Sequence, residues 1–140
     1  MTTPELKSYN EDEKKFYTWI RGVLKSCHVQ RIETTTGPGV PDLNVCHNAQ
    51  EMWIELKMVI KQGILLRKEQ YGWGMKRAIH GGYVYVMALN KDAGIIHVWL
   101  YPKIDVSSYN DKYVKIESQP HASFVKKSGS KVLLDLLYLG

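Results

Sequence analysis

The chain has 140 residues, 44% of them apolar and 24% charged, and its formal net charge is +5. This length and composition fit one globular domain over residues 1–140 that buries its own core, and they leave little room for a second domain. No segment reaches the roughly 20 apolar residues of a membrane span, and no basic segment followed by an apolar one opens the chain. We therefore expect a cytoplasmic protein with no membrane partner.

The first predicted element is a helix. Residues 1–9 are expected to form a flexible tail, and Asn10 with Glu13 resembles a capping box that opens the helix. The apolar stripe of this helix consists of Phe16, Trp19, Ile20, Val23, Leu24 and Cys27.

Three strands are predicted next. The segment from Val29 to Thr35 is rich in β-branched residues, and Gly37-Pro38-Gly39 interrupts the chain before a second strand from Val40 to Cys46. The third strand runs from Glu51 to Ile60. Its alternation puts two sets of side chains on opposite faces, namely Trp53, Glu55, Lys57 and Val59 on one and Ile54, Leu56, Met58 and Ile60 on the other.

A second helix is predicted from about Arg67 to His80, because Gly81-Gly82 supplies a stop signal. Gly72 and Gly74 weaken this helix, so either it starts later or something packs closely against it. A hairpin of two strands, 83–89 and 95–101, follows. In the C-terminal extension, 101–140, residues 113–117 resemble a strand, and 132–139 a short buried helix or strand.

The two cysteines, Cys27 and Cys46, each precede a histidine. Neighbouring residues on a strand or helix point in diverging directions, so neither Cys-His pair can easily aim both side chains at one metal ion. Two free thiols are expected instead of a zinc site.

An acid at the start of one strand and an acid with a lysine on the next are what a two-strand metal site needs. Asp42 lies thirteen residues before Glu55, and Lys57 shares the face of Glu55. Leu56 between them would pack into the core and leave its main-chain carbonyl available as a ligand. Two carboxylates, a carbonyl and water suit Mg²⁺, which prefers oxygen ligands.

Pro41-Asp42 followed by Glu55-Leu56-Lys57 resembles the PD-(D/E)xK motif of a large nuclease superfamily. Within that superfamily, the pattern resembles the small VRR-NUC and Holliday-junction-resolvase-like members of phage or bacterial type. The residues that carry this closer resemblance are Gly39 to Leu43, Trp53 to Lys57, Gln70 and Trp73. The resemblance covers roughly residues 13–90. It implies an α/β fold with a restriction-endonuclease-like core, in which helices flank a mixed central sheet in the order α-β-β-β-α-β.

The resemblance also implies roles for particular side chains. Asp42 and Glu55 would be metal ligands, Lys57 the catalytic lysine, and Gln70 a polar residue from the following helix. Glu13 is the candidate for a third metal-site acid, although it could serve only as a capping residue, and Glu11 is the alternative. The implied cofactor is Mg²⁺, for which Mn²⁺ could substitute.

DNA contacts are expected from the basic segment after the third strand. Between Lys61 and His80 there are five cations and one anion. The candidates are Lys61, Arg67, Lys68, Lys76 and Arg77, together with main-chain contacts at Gly37 and Gly39. Gly37-Pro38-Gly39 could equally be a simple turn, and Gln70 and Arg77 could merely border a packed helix.

The sequence thus favours a metal-dependent endonuclease that recognises DNA structure, with branched or junction DNA as substrate. A junction resolvase must cut two strands together, so a homodimer is expected. Two alternatives stay open. One is a non-catalytic nucleic-acid-binding protein that keeps a nuclease fold, and the other is a restriction-like or nicking repair nuclease.

Overall fold

The computed structural model describes residues 2–32 and 38–128. Its centre is a six-stranded mixed sheet in the order β1-β2-β3-β5-β6-β9. The six strands are β1 (His28–Arg31), β2 (Leu43–His47), β3 (Gln50–Met58), β5 (Tyr83–Asn90), β6 (Ile95–Leu100) and β9 (Ala122–Val125). Only the central pair, β3 and β5, is parallel, and the other neighbours in this sheet are antiparallel.

A long helix, α1 (Thr3–Val23), covers one face of the sheet. It begins seven residues before Asn10, so the predicted tail is wrong for residues 3–9, and so is the capping role of Glu13. Thr2 caps the helix instead, and its side chain and that of Glu5 form a reciprocal capping box. The first turns present little apolar surface, which is why hydrophobic periodicity did not reveal them.

The core under α1 is apolar. Phe16, Ile20 and Leu24 are fully buried there. They pack against inward side chains of four strands, among them Leu43, Val45, Met52, Ile54, Leu56, Met87 and Ile96. Burying aliphatic and aromatic side chains of this size is the dominant stabilising contribution to such a layer.

The opposite face carries a second helix and a second, smaller sheet. Helix α2 spans Lys68–Ile79, close to its predicted bounds. The small sheet has the order β4-β8-β7, from Ile64–Arg67, Tyr113–Ile116 and Ser108–Tyr109. The strand expected at 113–117 is confirmed, whereas β4, β7 and β9 were not predicted from sequence. Residues 132–139 lie outside the described part of the chain.

Both glycines lie inside α2, and only one of them is needed for packing. A Cβ on Gly74 would lie 2.5 Å from the ring of Tyr101, whereas a Cβ on Gly72 would meet nothing within 4 Å. Close packing at Gly74 therefore explains one of the two. Ile79, the last residue of α2, is 68% exposed.

In residues 2–32 and 38–128 neither helix combines the length and the apolar character that crossing a membrane would take.

Candidate active site

Strand pairing brings Asp42 next to Glu55. Leu43 pairs with Ile54 in the antiparallel register of β2 and β3, so the residue before β2 lies beside the middle of β3. The main-chain N–H of Leu56 donates to Asp42 Oδ2 at 2.8 Å. One carboxylate oxygen of Asp42 is thereby held against the neighbouring strand.

Glu55 is a buried carboxyl group whose two oxygens differ in their surroundings. The residue is 5% exposed. Its Oε1 accepts a hydrogen bond from Gln70 Nε2 at 2.8 Å and lies 4.0 Å from Lys57 Nζ. Its Oε2 is buried and has no hydrogen-bond partner among the residues that the structure describes. A buried carboxylate oxygen without a partner is costly, so this oxygen is available to a ligand.

Helix α2 fixes the orientation of Gln70. The main-chain N–H of Arg67, the residue before the helix, donates to Gln70 Oε1 at 2.9 Å. With its oxygen engaged there, the amide turns its NH₂ group toward Glu55. The first turn of α2 therefore presents a hydrogen-bond donor to the buried acid.

Gly39 connects the segment that carries Asp42 to α2. It is buried with φ of +85°, and a Cβ there would collide with the main-chain carbonyl of Glu69. A side chain would therefore push the Asp42 segment away from the helix that carries Gln70. The need for glycine is explained by this contact within the protein. Gly37 lies outside the described residues.

Glu13 belongs to the same group of acids. It is half-buried on α1, and burial raises the pKa of its carboxyl, with a further rise from the charge of Asp42 and an opposing effect from Lys57. Tyr9, one turn earlier, accepts a hydrogen bond from the main-chain N–H of Met58 at 3.2 Å through its hydroxyl. This contact ties α1 to the end of β3. Glu11, the alternative acid, is exposed.

The charge balance at this end of β3 is negative. Burial raises the pKa of Glu55 well above its ordinary value, and the charge of Asp42 raises it further, while Lys57 acts in the opposite direction. Lys57 is the cation whose charge opposes these rises at both Glu13 and Glu55. Such a site disfavours full ionisation unless another positive charge is present.

A cleft of about 280 Å³ opens beside Glu13 and Asp42, and Glu55 is not among its lining residues. It is lined by Glu13, Lys14, Tyr17, Thr18, Arg31, Asp42 and Leu56. The guanidinium of Arg31 lies 4.8 Å from the centre of the Tyr17 ring, and Arg21 Nη1 donates to the Tyr17 hydroxyl at 3.2 Å. Sequence reasoning missed these cations, because α1 and β1 come together only in the folded chain.

The five cations predicted to meet DNA lie in different surroundings. Lys61 borders a second cleft with His97 and Glu117. Lys68 lies over the ring of Tyr109, whereas Lys76 and Arg77 border an open cleft with Trp73 and His80. Arg67 is exposed at the start of α2. The structure therefore does not gather the whole basic segment around Asp42 and Glu55.

The donor set fits a hard divalent cation. Asp42, just before β2, and Glu55 on β3 supply carboxylate oxygens, and Oε2 of Glu55 is buried without a hydrogen-bond partner among the described residues. Among the described residues no three His, Cys, Asp or Glu side chains form a ready-made metal cluster. The ligand set predicted for this site includes the main-chain carbonyl of Leu56, which is not a side chain and is therefore not counted in a cluster of that kind. Neither Cys27 nor Cys46 forms a disulfide.

Comparison with known proteins supports the fold. The chain matches the structure of Hjc from Archaeoglobus fulgidus, a Holliday junction resolvase from an archaeal hyperthermophile. The TM-score is 0.56 with 17% sequence identity, over 75% of this chain and 83% of that one. No model of a protein family matches the chain, and no curated protein matches it either. The predicted α/β fold, with a mixed central sheet between helices and a resolvase-like arrangement, is confirmed.

Proposed function

We propose that this protein is a divalent-metal-dependent endonuclease that hydrolyses DNA phosphodiester bonds. The observation that carries the proposal is the burial of Glu55. Its Oε1 accepts a hydrogen bond from Gln70, while its Oε2 has no hydrogen-bond partner among the described residues. A fold without a ligand for that oxygen would gain by replacing the acid with an apolar residue.

Each residue of the site has a proposed part. Asp42, Glu55 and the main-chain carbonyl of Leu56 would hold the Mg²⁺ or Mn²⁺ ion, and Glu13 would bind one of its waters or the ion itself. When bound, the ion polarises the phosphate and lowers the pKa of a coordinated water. Gln70 holds Glu55 in position. Lys57 donates to the phosphate as negative charge develops there, or orients the attacking water.

The cations beside the cleft would hold the DNA backbone. Lys14 and Arg31 border the same cleft as Asp42, so they are proposed to contact the phosphates next to the cut. Lys61, Arg67, Lys68, Lys76 and Arg77 are proposed as more distant contacts, with the main chain at Gly37 and Gly39.

Branched or junction DNA is the proposed substrate. One structural neighbour is described as a Holliday junction resolvase, and the net positive charge of the chain suits recognition of DNA phosphates and shape. A symmetric homodimer would let two sites cut two strands. The same proposal includes three further points. The protein would belong to the VRR-NUC-type proteins of phages or bacteria, lie in the cytoplasm, and act in DNA recombination or repair.

Cleavage of a synthetic four-way junction in Mg²⁺ tests the activity. We expect Lys57→Ala to cut roughly 100-fold more slowly or worse, as for other losses of charge stabilisation at a reacting centre. Lys25→Gln serves as a matched control, because Lys25 is an exposed lysine outside the cleft. Equal cleavage by wild type and Lys57→Ala would contradict the proposal.

Metal binding can be measured without cleavage. The melting temperature of the wild type should rise with Mn²⁺ or Mg²⁺. At an ion concentration of 100 times its Kd, the free energy of unfolding should increase by about 2.7 kcal/mol. Asp42→Asn should lose most of that rise and still bind junction DNA. If no divalent ion stabilises the wild type and Asp42→Asn changes nothing, the protein is a DNA-binding module with a nuclease fold.

A further inference from the structure

A cluster of aromatic and cationic side chains lies on the α2 side of the sheet, apart from the acids. The tryptophan platform, as we call it, consists of Trp53 on β3 with Trp73 and Arg77 on α2. The two indole rings meet edge to face with centroids 5.1 Å apart. The Arg77 guanidinium lies 4.8 Å from the centre of Trp73 and 5.3 Å from that of Trp53.

Arg77 is held in place without an acidic partner. Its aliphatic carbons pack over Gly82, where an added Cβ would lie 2.6 Å from Arg77 Cγ. None of the ion pairs formed within the described ranges involves Arg77. An exposed guanidinium that contacts two indole rings and forms none of these ion pairs is suited to an anionic, planar partner.

An open cleft of about 410 Å³ adjoins this platform and is lined by Trp73, Lys76, Arg77 and His80. All four side chains are aromatic or basic, and the volume falls in the range of small-ligand sites. His80 Nδ1 lies 2.8 Å from the carbonyl oxygen of Lys76, so the ring is tied to the last turn of the helix. The cleft combines stacking surfaces with phosphate-binding groups.

The platform lies close to the proposed site of hydrolysis. Trp53 is two residues before Glu55 and on the same face of β3, a separation of about 7 Å along the strand. Trp73 follows Gln70 by one turn of α2, or about 5 Å. Stacked bases rise about 3.4 Å per step, so the platform is one to two nucleotides away from the acids.

We propose that the cleft holds one unpaired nucleotide of the DNA, with its base against Trp73 and Arg77 and its phosphate against Lys76. Every base has a π-face, so such a contact selects unpaired DNA without selecting sequence. This inference rests on the proposed function and adds the means by which the enzyme distinguishes branched DNA that carries unpaired bases from a plain duplex.

The test measures binding in EDTA, so it does not depend on cleavage. Fluorescence anisotropy compares a plain duplex with a duplex of the same length that carries a short single-stranded branch, in which an abasic residue is moved through successive positions. We expect the wild type to prefer the branched probe, and one abasic position to weaken its binding roughly tenfold, the loss of one stacked base.

Variants link that position to the cleft. Trp73→Leu should bind the branched probe as weakly as the wild type binds the abasic one, and the abasic residue should cost this variant nothing more. Trp73→Phe should restore the preference. If Trp73→Leu does not fold, Arg77→Lys, which keeps the charge and loses the planar group, should show the same loss, with Lys25→Gln as the control.

Two results would overturn the inference. One is a wild type that binds branched and plain duplexes equally. The other is an abasic effect that persists undiminished in Trp73→Leu or Arg77→Lys, which would mean that Arg77 only covers the tryptophans. Either could occur while Lys57→Ala still abolishes cleavage, so failure here is distinguishable from failure of the proposed nuclease activity.

Discussion

The two faces of the central sheet share strands and differ in chemistry. On the α1 face, β3 presents Met52, Ile54, Leu56 and Met58 to an apolar core. On the α2 face the same strand presents Trp53, Glu55 and Lys57. Gln70 of α2 donates a hydrogen bond to Glu55 there. The α2 face also packs an apolar core of its own, which includes Val84, Val86 and Trp99, so on that face the charged side chains of β3 lie on the same sheet surface as a second core. Adjacent residues on β3 should therefore fail in different ways when they are changed.

The largest effects should separate Ile54 from Glu55. Ile54 is fully buried, so Ile54→Ala should lower the free energy of unfolding by about 2–5 kcal/mol, measured by urea unfolding. Glu55→Gln should keep the fold and reduce junction cleavage at least ~100-fold. If Ile54→Ala loses cleavage beyond its loss of folded protein, or if Glu55→Gln cleaves normally, the division between the faces is wrong.

A second, intermediate effect tests how tightly α2 packs. Gly74→Ala should destabilise the protein by about 1–3 kcal/mol, because the new methyl group meets the buried Tyr101 ring. Gly72→Ala is the matched control in open space and should stabilise it by about 1 kcal/mol. Thermal melting of both variants gives the comparison, and equal shifts of the same sign would refute the packing described here.

The smallest expected effect concerns His97 on β6, where burial lowers the pKa of the imidazole. The folded state then binds a proton less tightly than the unfolded state. Its contribution to stability is complete above the unfolded pKa of about 6.5 and is lost as the pH falls through the lower folded value.

Denaturant unfolding at several pH values measures this effect. The wild type should lose stability on acidification more steeply than His97→Gln does. Parallel curves for the two proteins would show that His97 does not contribute to the acid sensitivity.

Much of the fold followed from periodicity in the sequence. The alternation in β3 and the stop at Gly81-Gly82 located β3, α2 and the following hairpin, since these elements bury long, regular faces. The starts of α1 and of the short strands β4, β7 and β9 were not found. The first turns of α1 bury little, and strands of two to four residues offer too few positions for a pattern.

The candidate site divides in the same way. Asp42, Glu55 and Lys57 could be predicted because two adjacent strands carry them at recognisable spacing, and Gln70 because of the family resemblance. Lys14 and Arg31 were not found. Seventeen positions separate them along the chain, and only the packing of α1 against the sheet places both beside Asp42. Their roles, like those of the acids, remain predictions.

The parallel pairing of β3 with β5 also has a consequence for how the protein forms. Met52 pairs with Tyr83 and Met58 with Leu89, so each contact closes a loop that contains β4 and all of α2. Contacts this far apart in sequence form slowly, because chain entropy must be lost before they form. Gln70 lies within that loop. A partly unfolded chain can pair β2 with β3 and bring Asp42 beside Glu55, but without β5 it lacks the strand against which α2 packs. The proposed nuclease would then stay inactive until its folding is complete.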